Sequence, residues 1–232
     1  AAALYAARED ADAMILLVPS DHAVPDPQAF RDAVALAEPA ARAGQIVTFG
    51  ITPARAETGY GWLEAGEETG PGVHDLTRFI EKPDAARAEE LFADDRHLWN
   101  AGVFLARAKT LIDAFRAHAP DILDGVEAAL SASTGDLGFT RIDPALWAGV
   151  REDSIDYAVM EKADNVSVVR FDGHWTDLGS WESVWQESER DEKGNALSAH
   201  ATAFDCEGTL LRSEDSGIEL VGIGLKNVVA VA

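Results

Sequence analysis

The chain has 232 residues, and its 41 acidic against 19 basic residues give it a formal net charge of -22. A surface of this charge repels phosphate backbones, so we expect no binding to nucleic acid, although a local site or a bound cation can still attract a small phosphorylated ligand. No apolar run reaches the ~20 residues of a membrane span, and the one cysteine, Cys206, cannot form an intrachain disulfide. We therefore expect a cytoplasmic protein that makes no membrane contact.

The first part of the sequence alternates strand-like and helix-like segments. Met14–Val18 and Ile46–Ile51 are short, unbroken apolar runs, which are typical of strands buried on both faces of a parallel sheet. Gln28–Ala43 lies between them and carries apolar residues at helical spacing. This order predicts an α/β domain with a mostly parallel sheet.

A hairpin and several further helices are predicted after these segments. Gly61–Glu81 alternates in polarity and contains Gly70-Pro71-Gly72, which indicates a tight turn between two strands. The other predicted elements are helices at Glu89–Phe92, Thr110–Ala119, Asp121–Ser131, Asp156–Lys162 and Ser180–Glu189, and strands at Trp99–Ala106 and Val166–Phe171. Trp181 and Trp185 are four residues apart in the last helix, which favours a shared side facing the core.

The pattern of apolar and polar residues changes near Gly194. From there on, short apolar pieces are broken by glycine and polar residues, which predicts a small all-β appendage at 194–232 after an α/β domain at 1–193. The appendage is a candidate surface for a homodimer. At the other end, Ala1–Ala7 reads as the middle of a helix, so we expect the numbering to begin inside a domain.

Two aspartates occupy positions suited to a cation. Asp21 follows the first predicted strand, and ligands gather at the carboxyl ends of strands in open α/β sheets. Asp177 stands between a predicted strand and a predicted helix, beside Gly179, which permits close approach of the backbone. Either aspartate could equally stabilise a turn or cap a helix.

Four other residues, Glu81, Lys82, Gly61 and Asn100, are candidates for ligand binding. Glu81 and Lys82 place an acceptor and a cation at the end of a predicted strand. Gly61 follows Tyr60, and a glycine beside an aromatic ring suits a wall against a sugar. The amide of Asn100 can both donate and accept, as binding to a hydroxyl requires. Taken singly, each of these residues also fits an ordinary strand end or turn.

Six motifs follow one another along the chain. They are Pro19-Ser20-Asp21-His22, Thr58-Gly59-Tyr60-Gly61, Phe79-Ile80-Glu81-Lys82-Pro83, Trp99-Asn100-Ala101-Gly102-Val103-Phe104, the segment Ser154–Lys162 and the segment Trp175–Trp181. In order and spacing they resemble the mannose-1-phosphate guanylyltransferases, strongly over about residues 1–195 and more loosely after that. The resemblance implies a Rossmann-like nucleotide-diphospho-sugar transferase domain followed by a short left-handed β-helix.

The resemblance also implies a reaction and roles for the residues. GMP would pass from GTP to mannose 1-phosphate, which gives GDP-mannose and pyrophosphate. Asp21 and Asp177 would hold Mg²⁺ and, with Lys82, would be the catalytic residues. The implied sugar-phosphate site consists of Gly61 beside the sugar, Glu81 and Asn100 on mannose hydroxyls, Lys82 on the phosphate, and Asp156 with Glu161 shaping the pocket.

The sequence departs from the family at the segment that grips the triphosphate. The glycine-rich loop Gly-x-Gly-Thr-Arg-x-x-Pro and the following Pro-Lys do not occur in it, and Trp62 stands where the family usually has tyrosine. We therefore expect this polypeptide by itself to be inactive. Two alternatives are a related hexose-1-phosphate nucleotidyltransferase that uses another nucleotide, and a catalytically inactive paralogue that binds sugar nucleotides.

Overall fold

The computed structural model describes all residues from Ala1 to Ala232. They form two compact units, one of residues 1–20 with 24–175 and the other of residues 21–23 with 176–232. The second unit thus includes a helix that precedes the purely β region, whose predicted start was at 194. None of the helices is long and apolar enough to cross a membrane.

The first unit contains most of the secondary structure. Its helices are α1 (Ala2–Ala6), α2 (Pro27–Arg42), α3 (Ala85–Phe92), α4 (Ala108–His118), α5 (Pro120–Ser131) and α6 (Pro144–Trp147), together with a π-helical segment, Asp156–Met160. Its strands are β1 (Met14–Leu17), β2 (Ile46–Ile51), β3 (Trp62–Gly70), β4 (Val73–Ile80), β5 (His97–Arg107), β6 (Thr134–Asp136), β7 (Phe139–Arg141) and β8 (Val166–Phe171). Local signals set the start of α2, because Asp26 accepts from the N–H groups of Gln28 and Ala29 and a proline occupies its first turn.

Six of these strands form one mixed sheet in the order β1-β5-β2-β8-β4-β3. Only the pairing of β2 with β8 is parallel, so the prediction of a mostly parallel sheet is wrong. The reason is that a buried apolar run looks alike in either direction, and β5 runs antiparallel between β1 and β2. β1 lies at the edge of the sheet, and its Leu16 is 38% exposed rather than buried.

The two faces of the sheet carry two apolar clusters. Val47, Phe49 and Ile51 of β2 belong to the cluster that packs against α2. Ile46 belongs to the other cluster, which includes residues of α4 and of the π-helical segment. Thr48 alternates with the first set, so this fully buried hydroxyl lies on the same face as Ile46.

The second unit combines one helix with short strands. They are α7 (Trp181–Glu187), β9 (Ala196–Leu197), β10 (Ala201–Phe204), β11 (Leu210–Arg212), β12 (Leu220–Ile223) and β13 (Val229–Val231). Ser180 caps α7 as predicted, since its hydroxyl accepts from the N–H of Ser183. The predicted core position of Trp181 is wrong, because the residue of α7 that is buried is Ser183 and Trp181 is 48% exposed.

The strands of the appendage pair in parallel. β10 pairs with β12, and β11 pairs with both β9 and β13. Ala201 faces Leu220 and Leu210 faces Val229, so both pairings join residues 19 positions apart. The prediction of a β appendage is therefore confirmed in its coarse form, as a stack of short parallel strands.

Candidate active site

Gly61, which precedes β3, Glu81, which follows β4, and Asn100, which lies within β5, come together in the first unit. The backbone N–H of Asn100 donates to the carbonyl of Gly61 over 2.8 Å. A Cβ added to Gly61 would lie 2.6 Å from Oε2 of Glu81 and 3.2 Å from the ring of Phe79. Glycine at this position therefore leaves the space that the Glu81 carboxylate fills.

The amide of Asn100 has a defined orientation. Its Oδ1 accepts from the backbone N–H of Gly102 at 3.1 Å and from the hydroxyl of Thr48 at 3.0 Å. Its Nδ2 donates to Oδ1 of Asp156 at 3.1 Å. A backbone N–H can only donate, so the atom beside Gly102 has to be the amide oxygen. The amide thus links the strand that carries it to the start of the π-helical segment.

Two partly buried carboxyl groups, Glu81 and Asp156, give the site its electrostatic character. Burial raises the pKa of Glu81, whose side chain is 9% exposed, and the negative charge of Asp156 raises it further, against an opposing effect of Lys82. Burial likewise raises the pKa of Asp156, while its hydrogen bond from Asn100 acts in the opposite direction. Both groups are hydrogen-bond acceptors when ionised, and both are suited to sugar hydroxyls.

Lys82 provides a cation beside these acids. Its Nζ lies 3.5 Å from Oε1 of Glu81, and its side chain is 60% exposed, so the ammonium remains open to an anion. Its backbone has φ of 45°, which is unusual for a residue other than glycine and costs about 1–2 kcal/mol. Strain of this kind concentrates at functional sites.

Aromatic rings form the wall next to Gly61. The ring of Tyr60 meets those of Trp99 and Trp175 edge to face, with centroids 5.3 and 5.5 Å apart. Trp62 is fully buried, and its indole N–H donates to the carbonyl of Glu57 at 2.8 Å. The departure from tyrosine at Trp62 therefore affects the packing under the wall.

The other two candidate residues, Asp21 and Asp177, belong to the second unit. Their chain segments lie side by side, because Ala23 and Thr176 exchange backbone hydrogen bonds of 2.9 and 3.1 Å. Oδ1 of Asp177 also accepts from the N–H of Gly179, which supports the turn reading of this residue. No group of three or more His, Cys, Asp or Glu side chains suits a metal ion. Two carboxylates on adjacent segments fit Mg²⁺, which takes few protein ligands and completes its shell with phosphate oxygens and water.

Thr48 is a residue of the site that the sequence analysis missed. It is completely buried, and its hydroxyl contacts both Asn100 and the carbonyl of Val103. The one available signal was a hydroxyl within the otherwise apolar run Ile46–Ile51, where burial without a partner would be costly.

The chain is similar in sequence to a known protein family and to several known proteins. The family model described as nucleotidyl transferase matches residues 1–194. The xanthan biosynthesis protein XanB of Xanthomonas campestris pv. campestris is 42% identical over 231 residues, which are 99% of this chain and 48% of that protein. A mannose-1-phosphate guanylyltransferase of Klebsiella pneumoniae is 37% identical over 234 residues, 100% of this chain and 49% of that protein.

A solved structure adds to these relatives. The crystal structure of a protein from Thermus thermophilus, described as a mannose-1-phosphate geranyltransferase, superimposes with a TM-score of 0.82 at 30% identity. The match covers 99% of this chain and 65% of that one. The chain spans about half the length of the curated relatives it matches. With the family model matched over most of its length, the chain belongs to the nucleotidyl transferase family.

Proposed function

We propose that the protein carrying this chain is a mannose-1-phosphate guanylyltransferase, which joins GTP and mannose 1-phosphate to give GDP-mannose and pyrophosphate. The observation that carries the proposal is the cluster of Glu81, Lys82, Asn100 and Asp156, which combines acceptors, an amide donor and an exposed cation. A sugar phosphate needs this combination, since its hydroxyls donate and accept and its phosphate is an anion. Relatives that bear the name of this enzyme, at 36% to 39% identity over nearly the whole chain, support the assignment.

The reaction places few demands on acid–base chemistry. The nucleophile is a phosphate oxygen of mannose 1-phosphate, and it attacks the α-phosphorus of GTP in line with the departing pyrophosphate. Because this oxygen is already an anion, the residues have to align two polyanions and offset their charge rather than remove a proton. Lys82 contributes a point charge to the sugar phosphate. Glu81, Asn100 and Asp156 hold the sugar.

Mg²⁺ is the cofactor in this proposal, held by Asp21 and Asp177. Bound there, Mg²⁺ would supply positive charge that offsets the negative charge of the phosphates. We further propose that the parallel strands of the appendage continue as a left-handed β-helix. The repeated parallel pairing supports this: partners are 19 residues apart in β10–β12 and β11–β13 and 14 residues apart in β9–β11, as expected for successive coils of similar length. A homodimer formed through this appendage and a cytoplasmic location remain predictions.

The assay measures product formation by the full-length protein with Mg²⁺. GTP, UTP and dTTP are each combined with mannose 1-phosphate or glucose 1-phosphate, and pyrophosphate release is followed together with the sugar nucleotide. We expect GDP-mannose as the main product. A preference for UTP or dTTP with glucose 1-phosphate would indicate the related hexose-1-phosphate enzyme. Binding of the sugar nucleotide without any pyrophosphate release would indicate the inactive paralogue.

A further inference from the structure

Thr48 places a hydroxyl in the middle of the apolar strand β2. β2 is buried along its whole length, and Thr48 is its one residue with a polar side chain. The hydroxyl lies 3.0 Å from Oδ1 of Asn100 and 3.2 Å from the carbonyl oxygen of Val103. Both of these atoms are acceptors and the hydroxyl has one proton, so it donates a single hydrogen bond that the two share, with Oδ1 of Asn100 the nearer acceptor.

An irregularity in the sheet brings Thr48 and Asn100 together. Thr48 is paired with Phe104, whereas Gly50 is paired with Asn100, so β5 advances four residues while β2 advances two. The extra residues include Gly102, whose φ of 68° is accessible to glycine at little cost. Bulges of this kind redirect side chains near functional sites. Here the bulge places the side chain of Asn100 over that of Thr48.

The two donors use up the acceptor capacity of the amide. A carbonyl oxygen has two lone pairs, and Oδ1 of Asn100 receives one hydrogen bond from Thr48 and one from the backbone N–H of Gly102. One N–H of Nδ2 donates to Asp156, so what Asn100 can still offer to a sugar hydroxyl is the second N–H of Nδ2. Residue type alone predicts that this amide both donates to a ligand and accepts from it, and the packing removes the accepting role.

We propose that Thr48 is a positioning residue for the sugar-phosphate substrate, holding the Asn100 amide so that its N–H faces the sugar. The inference rests on the proposed function for the identity of the ligand. Thr48 makes no contact with the substrate in this proposal and acts through Asn100. The acceptors for the protons of the sugar hydroxyls are then the carboxyl groups of Glu81 and Asp156, whereas Asn100 is a donor only.

The test compares three variants of the full-length protein. Thr48→Val removes the hydroxyl and keeps the shape of the side chain, while Thr48→Ser keeps the hydroxyl and removes a buried methyl group. Thr110→Val is the matched control, because Thr110 is a buried threonine of α4 that lines a separate cavity with Lys109 and His118. The measurements are KM for mannose 1-phosphate, KM for GTP, kcat and the midpoint of thermal unfolding.

We expect Thr48→Val to raise KM for mannose 1-phosphate about tenfold, as the loss of one oriented hydrogen bond implies. KM for GTP should stay within twofold. Thr48→Ser should restore the KM of the parent even if it unfolds at a lower temperature, and Thr110→Val should change neither constant. A purely structural role for the hydroxyl would lower the unfolding midpoint without this selective change in KM. The proposal is overturned if folded Thr48→Val keeps KM for mannose 1-phosphate within twofold, or if Thr48→Ser is as impaired as Thr48→Val.

A second measurement separates this inference from the proposed function. The side-chain amide of Asn100 is observed by nitrogen-15 NMR in the unliganded protein and assigned through its loss in Asn100→Asp. Thr48→Val should raise the hydrogen-exchange rate of this amide severalfold, and Thr48→Ser should not. If the parent protein makes no GDP-mannose but the exchange rate still depends on the hydroxyl, the proposed function fails while the positioning role stands. An exchange rate that does not respond to Thr48→Val refutes the positioning role.

Discussion

A single methyl group added at Gly61 tests the geometry of the sugar site. The new Cβ in Gly61→Ala would lie 2.6 Å from Oε2 of Glu81, whereas ordinary contacts begin at 3.4 Å, so the carboxylate has to move by about 0.8 Å. The ring of Phe79, at 3.2 Å, belongs to the buried core and gives way less easily than the end of the Glu81 side chain. Backbone strain plays no part, because Gly61 is not among the residues with positive φ.

The displacement should reduce activity far more than stability. A shift of about 1 Å in a positioning group costs up to about 100-fold in rate, so we expect kcat/KM for mannose 1-phosphate to fall by about 30- to 100-fold. Overpacking should lower the free energy of unfolding by about 1–3 kcal/mol. Steady-state kinetics at varied mannose 1-phosphate and urea unfolding of the full-length protein measure the two effects.

Gly135→Ala is the control for this experiment. Gly135 lies in β6, and nothing stands within 4 Å of the Cβ that the substitution would add. We expect this variant to keep the kcat/KM of the parent and to be equally stable or more stable by up to about 1 kcal/mol. If Gly61→Ala keeps kcat/KM within threefold of the control, Glu81 does not need its present position and the reasoning is refuted.

Three further predictions concern substitutions that change the charge or the hydrogen-bonding groups of the site. Asn100→Asp replaces the donor that lies 3.1 Å from Asp156 with an oxygen, so kcat/KM should fall about 10- to 100-fold. The two neighbouring carboxylates repel each other once ionised, so the loss of stability in urea unfolding should grow as the pH rises, and a loss that is equal from pH 5 to 8 would contradict this. Glu81 has a raised pKa in the folded state, so its ionisation destabilises the protein as the pH rises above about 4.5. Glu81→Gln should therefore be more stable than the parent in urea unfolding at pH 8, with a smaller gain in stability at pH 5, and an equal gain at the two pH values would argue against a buried carboxylate. Asp177→Ala should lower kcat at least about 100-fold, and so should Asp177→Asn, which keeps the hydrogen bond from the N–H of Gly179. Near-normal turnover by either variant would show that Asp177 does not hold the metal.

Local signals in the sequence were enough for most elements of the fold. The helix predicted at Gln28–Ala43 is α2, and the hairpin predicted within Gly61–Glu81 is β3 with β4. Both depend on interactions between residues close in sequence, such as the cap by Asp26 and the turn at Gly70-Pro71-Gly72. Strand direction was not predictable in this way. The apolar run of β1 has the same composition whether the strand is parallel or antiparallel, central or at an edge.

The candidate site likewise has features that the sequence predicts and features that only the tertiary structure determines. The roles of Glu81, Lys82 and Asn100 towards a sugar phosphate followed from the resemblance of their motifs to a known family, not from residue type alone. The donor-only character of the Asn100 amide and the part played by Thr48 appear only in the folded chain, since they arise from a bulge that joins residues 52 positions apart. The sequence determines which donors and acceptors each side chain has. The tertiary structure decides which of them remain for a ligand, because packed neighbours already use the others.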